Sequence, residues 1–272
     1  MPEGHTIHRA ARDHERDLGG RRVRVSSPQG RFDTANLIDE TGCARLLTVE
    51  AYGKHLFYVF EPDRIVHVHL GLFGRFYRRR TPAPAPREST RLRLEGVTMT
   101  IDLVGPTACD VVTRGEMRDL TARLGPDPLR ADADPEPFFA YVARSKAPIG
   151  AILMDQSRLC GVGNVYRAEV LHLLGLHPEM PGCTLPPADV RAMWHLIEGL
   201  LRRGVEEKRI VTTRGLELAR PRERVLRADS THVYGRRTCR SCQGDVLTYT
   251  IRKVLTGHLV GVGAFTVDLE EV

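Results

Sequence analysis

The sequence predicts an α+β protein whose strands and helices are segregated along the chain. Three observations carry this. Short β-branched and aromatic runs fill residues 22–104, apolar residues at helical spacing dominate from about Met117, and strand character returns near the C-terminus. In order, Ile7, Ala10, Ala11, His14 and Leu18 recur at helical spacing and stop at Gly19-Gly20, which predicts a leading helix close behind the N-terminus. Strands are predicted at residues 22–26, 46–60 with Gly53 interrupting, 64–70, 91–94 and 97–104. The proline-punctuated stretch TPAPAPR at residues 81–87 reads as a loop. Helices are predicted around Met117, Leu120 and Leu124, and at residues 138–142, 149–154, 165–174 and 190–201. Beyond Gly204 the chain is irregular and charged through Arg227, and strands at residues 231–234 and 246–251 suggest a small terminal hairpin module. There is no internal repeat.

Composition narrows the function classes. At 272 residues and 42% hydrophobic content the chain suits one or two ordinary globular domains. The longest apolar runs, residues 56–60 and 149–154, are far short of the roughly 20 residues of a membrane helix. Glu3, His5, His8 and Arg9 interrupt any signal-like apolar core, so a cytoplasmic protein is expected. A net charge of +6 favours a polyanionic partner. Among the basic residues only Lys54, Lys146, Lys208 and Lys253 are lysines, which makes a positioned lysine conspicuous; arginine suits bidentate phosphate contacts, lysine suits amine chemistry. Of six cysteines only Cys239 and Cys242 are closely spaced, so no secreted disulfide framework is expected and the other four read as small hydrophobes.

Four stretches bear chemistry. Proline at position 2 favours removal of the initiator methionine, leaving a secondary amine whose ordinary pKa of about 8 keeps part of it neutral near pH 7. Such an amine can attack a sugar C1′ and form an iminium, and Glu3 beside it can shuttle protons. In Tyr52-Gly53-Lys54-His55 a lysine falls within apolar strand sequence, where a phosphate would compensate its charge; a surface lysine is the ordinary alternative. His67-Val68-His69-Leu70-Gly71-Leu72-Phe73-Gly74 ends a strand on a glycine-flanked turn carrying two large apolar residues, which fits either a wedge entering stacked bases or plain core closure. Leu153-Met154-Asp155-Gln156 and Gly161-Val162-Gly163-Asn164-Val165-Tyr166 place a glycine turn ahead of a helix, a ready phosphate site without the third glycine of a dinucleotide fingerprint.

Together these stretches resemble the formamidopyrimidine-DNA glycosylase and endonuclease VIII (Fpg/Nei) family over nearly the whole chain. The motifs run PEG, GKHLF, HLGLFG, LGPDPL, ILMDQ, GVGNVYRAEVL and LGLHP, and the PEGHT opening is similar to the endonuclease VIII side. The resemblance implies an N-terminal β-sandwich with its leading helix over residues 1–115, a helix-two-turn-helix domain over 116–227 and a zinc-finger-like β-hairpin over 228–272. It further implies a monomeric, nucleoid-associated base-excision enzyme on damaged double-stranded DNA, with no cofactor required for chemistry. Pro2 would be the Schiff-base nucleophile, Glu3 the proton donor and Lys54 the lysine that contacts phosphate and supports β-elimination. Leu72 and Phe73 match the wedge; Arg123 and Asn164 match DNA-contacting positions, and Arg252 or Lys253 would take the place of the hairpin arginine. Thr6 stands where many members carry a second glutamate. Residues 102–109, DLVGPTAC, lack the arginine-phenylalanine loop of the formamidopyrimidine enzymes, which favours oxidised pyrimidines over 8-oxoguanine paired with cytosine. At the C-terminus Cys239 and Cys242 form one Cys-x2-Cys knuckle, but no second pair follows, so a four-cysteine zinc site is not expected. A zincless hairpin would still reach the DNA if residues 246–251 paired with a later strand such as 258–262.

Overall fold

A computed structural model describes residues 2–213, 225, 230–255 and 258–268, from residue 248 onward as backbone only. It divides into two units, Met1–Arg123 and Leu124–Val272. The helix expected at the start of a middle domain falls in the first unit, and the described part of the expected C-terminal module falls in the second.

In the first unit, helix α1 (Gly4–Leu18) ends before Gly19-Gly20 as its periodicity implies, burying Ile7, Ala11 and Leu18. Strands β1 (Arg22–Ser26), β2 (Cys43–Tyr52), β3 (His55–Phe60), β4 (Arg64–His69), β5 (Arg75–Arg80), β6 (Thr90–Glu95), β7 (Met99–Val104) and β8 (Ala108–Val112) follow. They form one antiparallel sheet in the order β5-β7-β6-β1-β2-β3-β4-β8. The expected sandwich is thus a continuous sheet, with both ends burying one core: Leu92, Leu94, Ile101 and Leu103 from one end cluster with Leu56, Tyr58, Val66 and Val68 from the other and with Ile7 of α1. Strand β3 reads as an unbroken apolar run because both its faces are covered. Leu56, Tyr58 and Phe60 enter that core, while Phe57 and Val59 pack with Met117 and Leu120 of α2 (Arg114–Ala122). Thr113 and Glu116 close a capping box at the start of α2.

Two strands, β5 and β8, were not expected. β5 reads Arg-Phe-Tyr-Arg-Arg-Arg and is held by tertiary partners: Phe76 meets the His14 ring edge-on at 4.8 Å, and Arg78 Nε donates to Asp17 at 2.9 Å and Nη1 to Asp13 at 3.2 Å. Burial opposes ionisation of Asp13, but Arg78, Arg16 and Arg9 outweigh it and hold its pKa below the ordinary value. On β7, Asp102 accepts from Arg93 at 2.7 and 2.9 Å and from Arg79 at 2.8 Å, so these buried charges are paired.

The second unit packs α3 (Glu136–Arg144), α4 (Ile149–Ile152), α5 (Asn164–Leu173) and α6 (Pro187–Glu207) around Phe138, Val142, Tyr166, Met193, Ile197 and Leu201. Helix α6 runs beyond the expected residue 201 and stops at Lys208, whose φ of 62° breaks the helical path. Strands β9 (Val246–Leu255) and β10 (His258–Asp268) pair antiparallel, the pairing that a zincless hairpin would require, over a longer span than residues 246–251 and 258–262. Residues 231–234, expected as a strand, form turns instead, because their amides are claimed by a helix side chain. Among the described residues no helix is long and apolar enough to cross a membrane.

Candidate active site and nucleic-acid interface

Helix α1 starts two residues behind Pro2, which fixes the chain end against the sheet. Pro2 lines a pocket of about 540 Å³ together with Thr6, Arg9, Leu72, Phe76 and Arg78. Glu3 is fully buried in extended conformation at the helix start, and its carbonyl accepts from the Thr6 amide at 2.8 Å. Burial, reinforced by Arg9, lowers the His5 pKa to about 3, so this imidazole is neutral at pH 7. Along the same helix His14 lines the pocket, its Nδ1 hydrogen-bonded to the Tyr58 hydroxyl at 2.8 Å; burial and then Arg78 lower its pKa to about 3.

Lys54 lies on a turn between strands, not within the apolar strand as its sequence context suggested. Tyr52 and His55 pair across the two-residue turn Gly53-Lys54, and Gly53 takes a φ of 56° that a side chain would disfavour. Beside it, His55 pairs with His69 across strands and its Nδ1 is 2.9 Å from His67 Nε2. Burial above all, then the neighbouring His69 and His67, lowers the His55 pKa to about 3; burial and then His69 lower that of His67 to about 4. The His55 and His67 rings next to Lys54 are therefore uncharged at neutral pH.

The turn from β4 to β5 leaves Leu72 62% and Phe73 82% exposed, which settles them as projecting side chains and not core closure. Gly71 holds a φ of 63° with Thr107 where a Cβ would sit, and a Cβ on Gly74 would fall 2.3 Å from the Leu70 carbonyl oxygen. Both glycines are required for this projection. Arg123, exposed at the end of α2, donates from Nε to the Asp119 carbonyl at 3.0 Å.

In the second unit the glycine turn ahead of α5 is tied by Gln156, whose Nε2 donates to the Val162 carbonyl at 2.9 Å and whose Oε1 accepts from the Gly161 amide at 3.1 Å. Asn164 begins the helix, half-buried, and its Oδ1 accepts from Arg167. Glu169, fully buried, accepts from the amides of His232 at 2.7 Å, Val233 at 2.9 Å and Tyr234 at 2.8 Å, and from the Thr212 hydroxyl. One helix therefore carries both the glycine-turn asparagine and the anchor of residues 232–234.

Among known proteins, endonuclease 8 1 of Mycobacterium tuberculosis is 41% identical over 260 residues, covering 91% of this chain and 94% of its own length. The chain belongs to the Fpg/Nei family. Members of this family are DNA glycosylases and AP lyases of base excision repair. The formamidopyrimidine-DNA glycosylase N-terminal domain family matches residues 1–104 and the formamidopyrimidine-DNA glycosylase H2TH domain family residues 124–215. A probable endonuclease 8 2 of Streptomyces coelicolor is 32% identical over 254 residues, covering 90% of this chain and 86% of its own. The fold matches that of a Lactococcus lactis Fpg mutant crystallised with Fapy-dG containing DNA, with a TM-score of 0.76, 18% identity and 98% of each chain covered.

Among the described residues, the start of the hairpin does not offer the four donors of a tetrahedral zinc site. Cys239 is buried with its Sγ 3.6 Å from His172 Nε2, Cys242 is exposed, and no second cysteine pair follows in the sequence. Among the described residues no three His, Cys, Asp or Glu side chains stand together as a metal site. Arg252 lies on β9 opposite Val262, where the register shifts, and its side chain is outside the described residues. Sequence reasoning missed Glu169, Arg167 and the His14–Tyr58 pair. The first two had a signal: charged residues interrupt the apolar periodicity of VYRAEVL at positions a packed helix would bury.

Proposed function

We propose that this chain is a bifunctional DNA glycosylase and AP lyase that excises oxidised bases, pyrimidines in preference, from duplex or partly open DNA. The observation that carries the reading is the placement of Pro2 at a pocket wall, immediately ahead of a buried Glu3 and a packed helix. The neutral Pro2 amine attacks C1′ of a flipped nucleotide as the C1′–base bond breaks and the base leaves with a proton. The attached ammonium then loses its proton as the C1′–O4′ bond opens, O4′ taking a proton through Glu3. The open-chain iminium that results acidifies the C2′ proton, whose loss expels the 3′ phosphate in β-elimination. Lys54 contacts phosphate and supports that step. Leu72 and Phe73 fill the vacated stack, and Arg123, Asn164 and Arg252 hold the backbone. The pyrimidine preference is supported by the connection from β7 to β8, which is only Gly105-Pro106-Thr107 and carries no arginine or aromatic side chain.

The terminal hairpin, in this reading, is held without zinc: Glu169 anchors residues 232–234 to α5, and Cys239 packs beside His172. The enzyme acts as a monomer in the cytoplasm, at the nucleoid. Borohydride trapping on abasic-site DNA tests the chemistry; an adduct undiminished in Pro2→Gly would remove Pro2 as the nucleophile. Metal analysis tests the hairpin, since stoichiometric zinc lost in Cys239→Ser would overturn the zincless reading. One rival is a damaged-DNA binding protein on the same fold without turnover, against which the presence of Pro2, Glu3 and Lys54 stands. Equal binding by wild type and Glu3→Gln, both inactive in base excision and in cleavage of a preformed abasic site, would select it.

A further inference from the structure

The geometry points to Arg167 as a positioning residue for the phosphate contact of Asn164, resting on the reading that Asn164 meets DNA. Arginine is seldom buried, because its charge must be compensated where water is excluded. Arg167 is only 2% exposed. Its Nη1 donates to the Gly150 carbonyl of α4 at 3.3 Å, and its Nη2 donates to Asn164 Oδ1, three residues earlier on the same helix face. A guanidinium offers donors and no acceptor, so the Asn164 atom facing it must be the amide oxygen. The orientation of that amide thus follows from chemistry, although oxygen and nitrogen are otherwise hard to tell apart. The Nδ2 donors are turned to the other side, at the start of α5, where backbone amides also favour an anion. Loss of the Arg167 donors removes their hold on this oxygen, and an amide turned about would present its oxygen to the phosphate and repel it.

The test measures affinity for a duplex carrying a reduced abasic analogue, together with melting temperature. Asn164→Asp keeps the oxygen that Arg167 holds and replaces the donors by a second carboxylate oxygen. Expected is an unchanged or raised melting temperature with affinity weakened at least about tenfold, as for loss of a charge-assisted hydrogen bond, and a smaller salt slope. Affinity within about twofold of wild type, or a lowered melting temperature with intact binding, would overturn the inference. Arg167→Met keeps the stem and removes the donors. It is expected to weaken binding about three- to tenfold in the wild-type background and to add nothing in an Asn164→Ala background, the non-additivity of a coupled pair. An equal loss in both backgrounds would show that Arg167 acts on folding and not through Asn164. Adduct formation by the wild type is scored separately, so a failed catalytic reading leaves this affinity comparison intact.

Discussion

Helix α1 and helix α5 both start at a residue of the proposed site, Pro2 and Asn164, and both bury polar side chains, but by different means. In α1 two of the buried groups are His5 and His14, whose pKa values fall to about 3 and which stay uncharged at neutral pH, while the third, Asp13, is held ionised against its burial by Arg78, Arg16 and Arg9. In α5 they are Arg167, whose Nη1 and Nη2 donate to the Gly150 carbonyl and to Asn164, and Glu169, whose carboxylate accepts from three backbone amides and the Thr212 hydroxyl. The difference separates two costs of burying polarity. A neutral imidazole is inexpensive until acid charges it, whereas a carboxylate filled by donors is insensitive to mild acid and intolerant of substitution.

The largest test of this contrast is Glu169→Ala, which leaves three amides and a hydroxyl without their acceptor. A loss of about 3–5 kcal/mol in denaturant unfolding is expected, with faster hydrogen exchange at residues 232–234. A loss below about 1 kcal/mol would mean that residues 232–234 are anchored elsewhere. Next is acidity. His14 has a folded pKa depressed from 6.5 to about 3, so its stabilising contribution is present above pH 6.5 and is lost as pH falls towards about 3. Stability should therefore drop between pH 6.5 and 4, on the order of 2 kcal/mol through His14. His14→Gln should flatten that slope, and an unchanged slope would exclude His14 as its source. A smaller effect is expected of Tyr58→Phe, which deletes the partner of His14 Nδ1 and should cost about 1 kcal/mol by thermal melting. Smallest is Phe73→Ala, a change on an exposed turn that should leave stability within about 0.5 kcal/mol while weakening affinity for damaged duplex. A clear stability loss would return Phe73 to the core.

Much of the first unit was legible because its core-facing residues keep a period. α1 and β1 follow their spacing to the residue at the C-terminal end, and Gly53 marked the turn that carries Lys54. β5 was illegible since four of its six positions are arginine, and its state is decided by β7 and by Asp13 and Asp17 of α1, more than fifty residues earlier in the chain. Ordered motifs singled out Pro2, Glu3, Lys54 and Asn164 as candidates, together with a wedge at Leu72 and Phe73, whose exposure accords with it. Sequence could not reveal the His14–Tyr58 pair, 44 residues apart, or the claim of Glu169 on residues 232–234, because those depend on which surfaces meet. The expected strand at 231–234 failed for that reason: its amides found a side chain before they could find a neighbouring strand.

The place of β5 has one more consequence. As an edge strand it offers unpaired backbone groups to any extended chain, the usual starting point for sheet-to-sheet aggregation. Arg75, Arg78, Arg79 and Arg80 crowd that edge, and only Arg78 and Arg79 have carboxylate partners in the described hydrogen bonds. Two such strands brought side by side would set like charges against one another, and the remaining guanidinium groups would lose water without gaining a counter-charge. The composition that hides β5 from sequence reading thus protects the open sheet from copies of itself. Because exposed charges are screened by salt, that protection is strongest in dilute buffer and weakens as ionic strength rises.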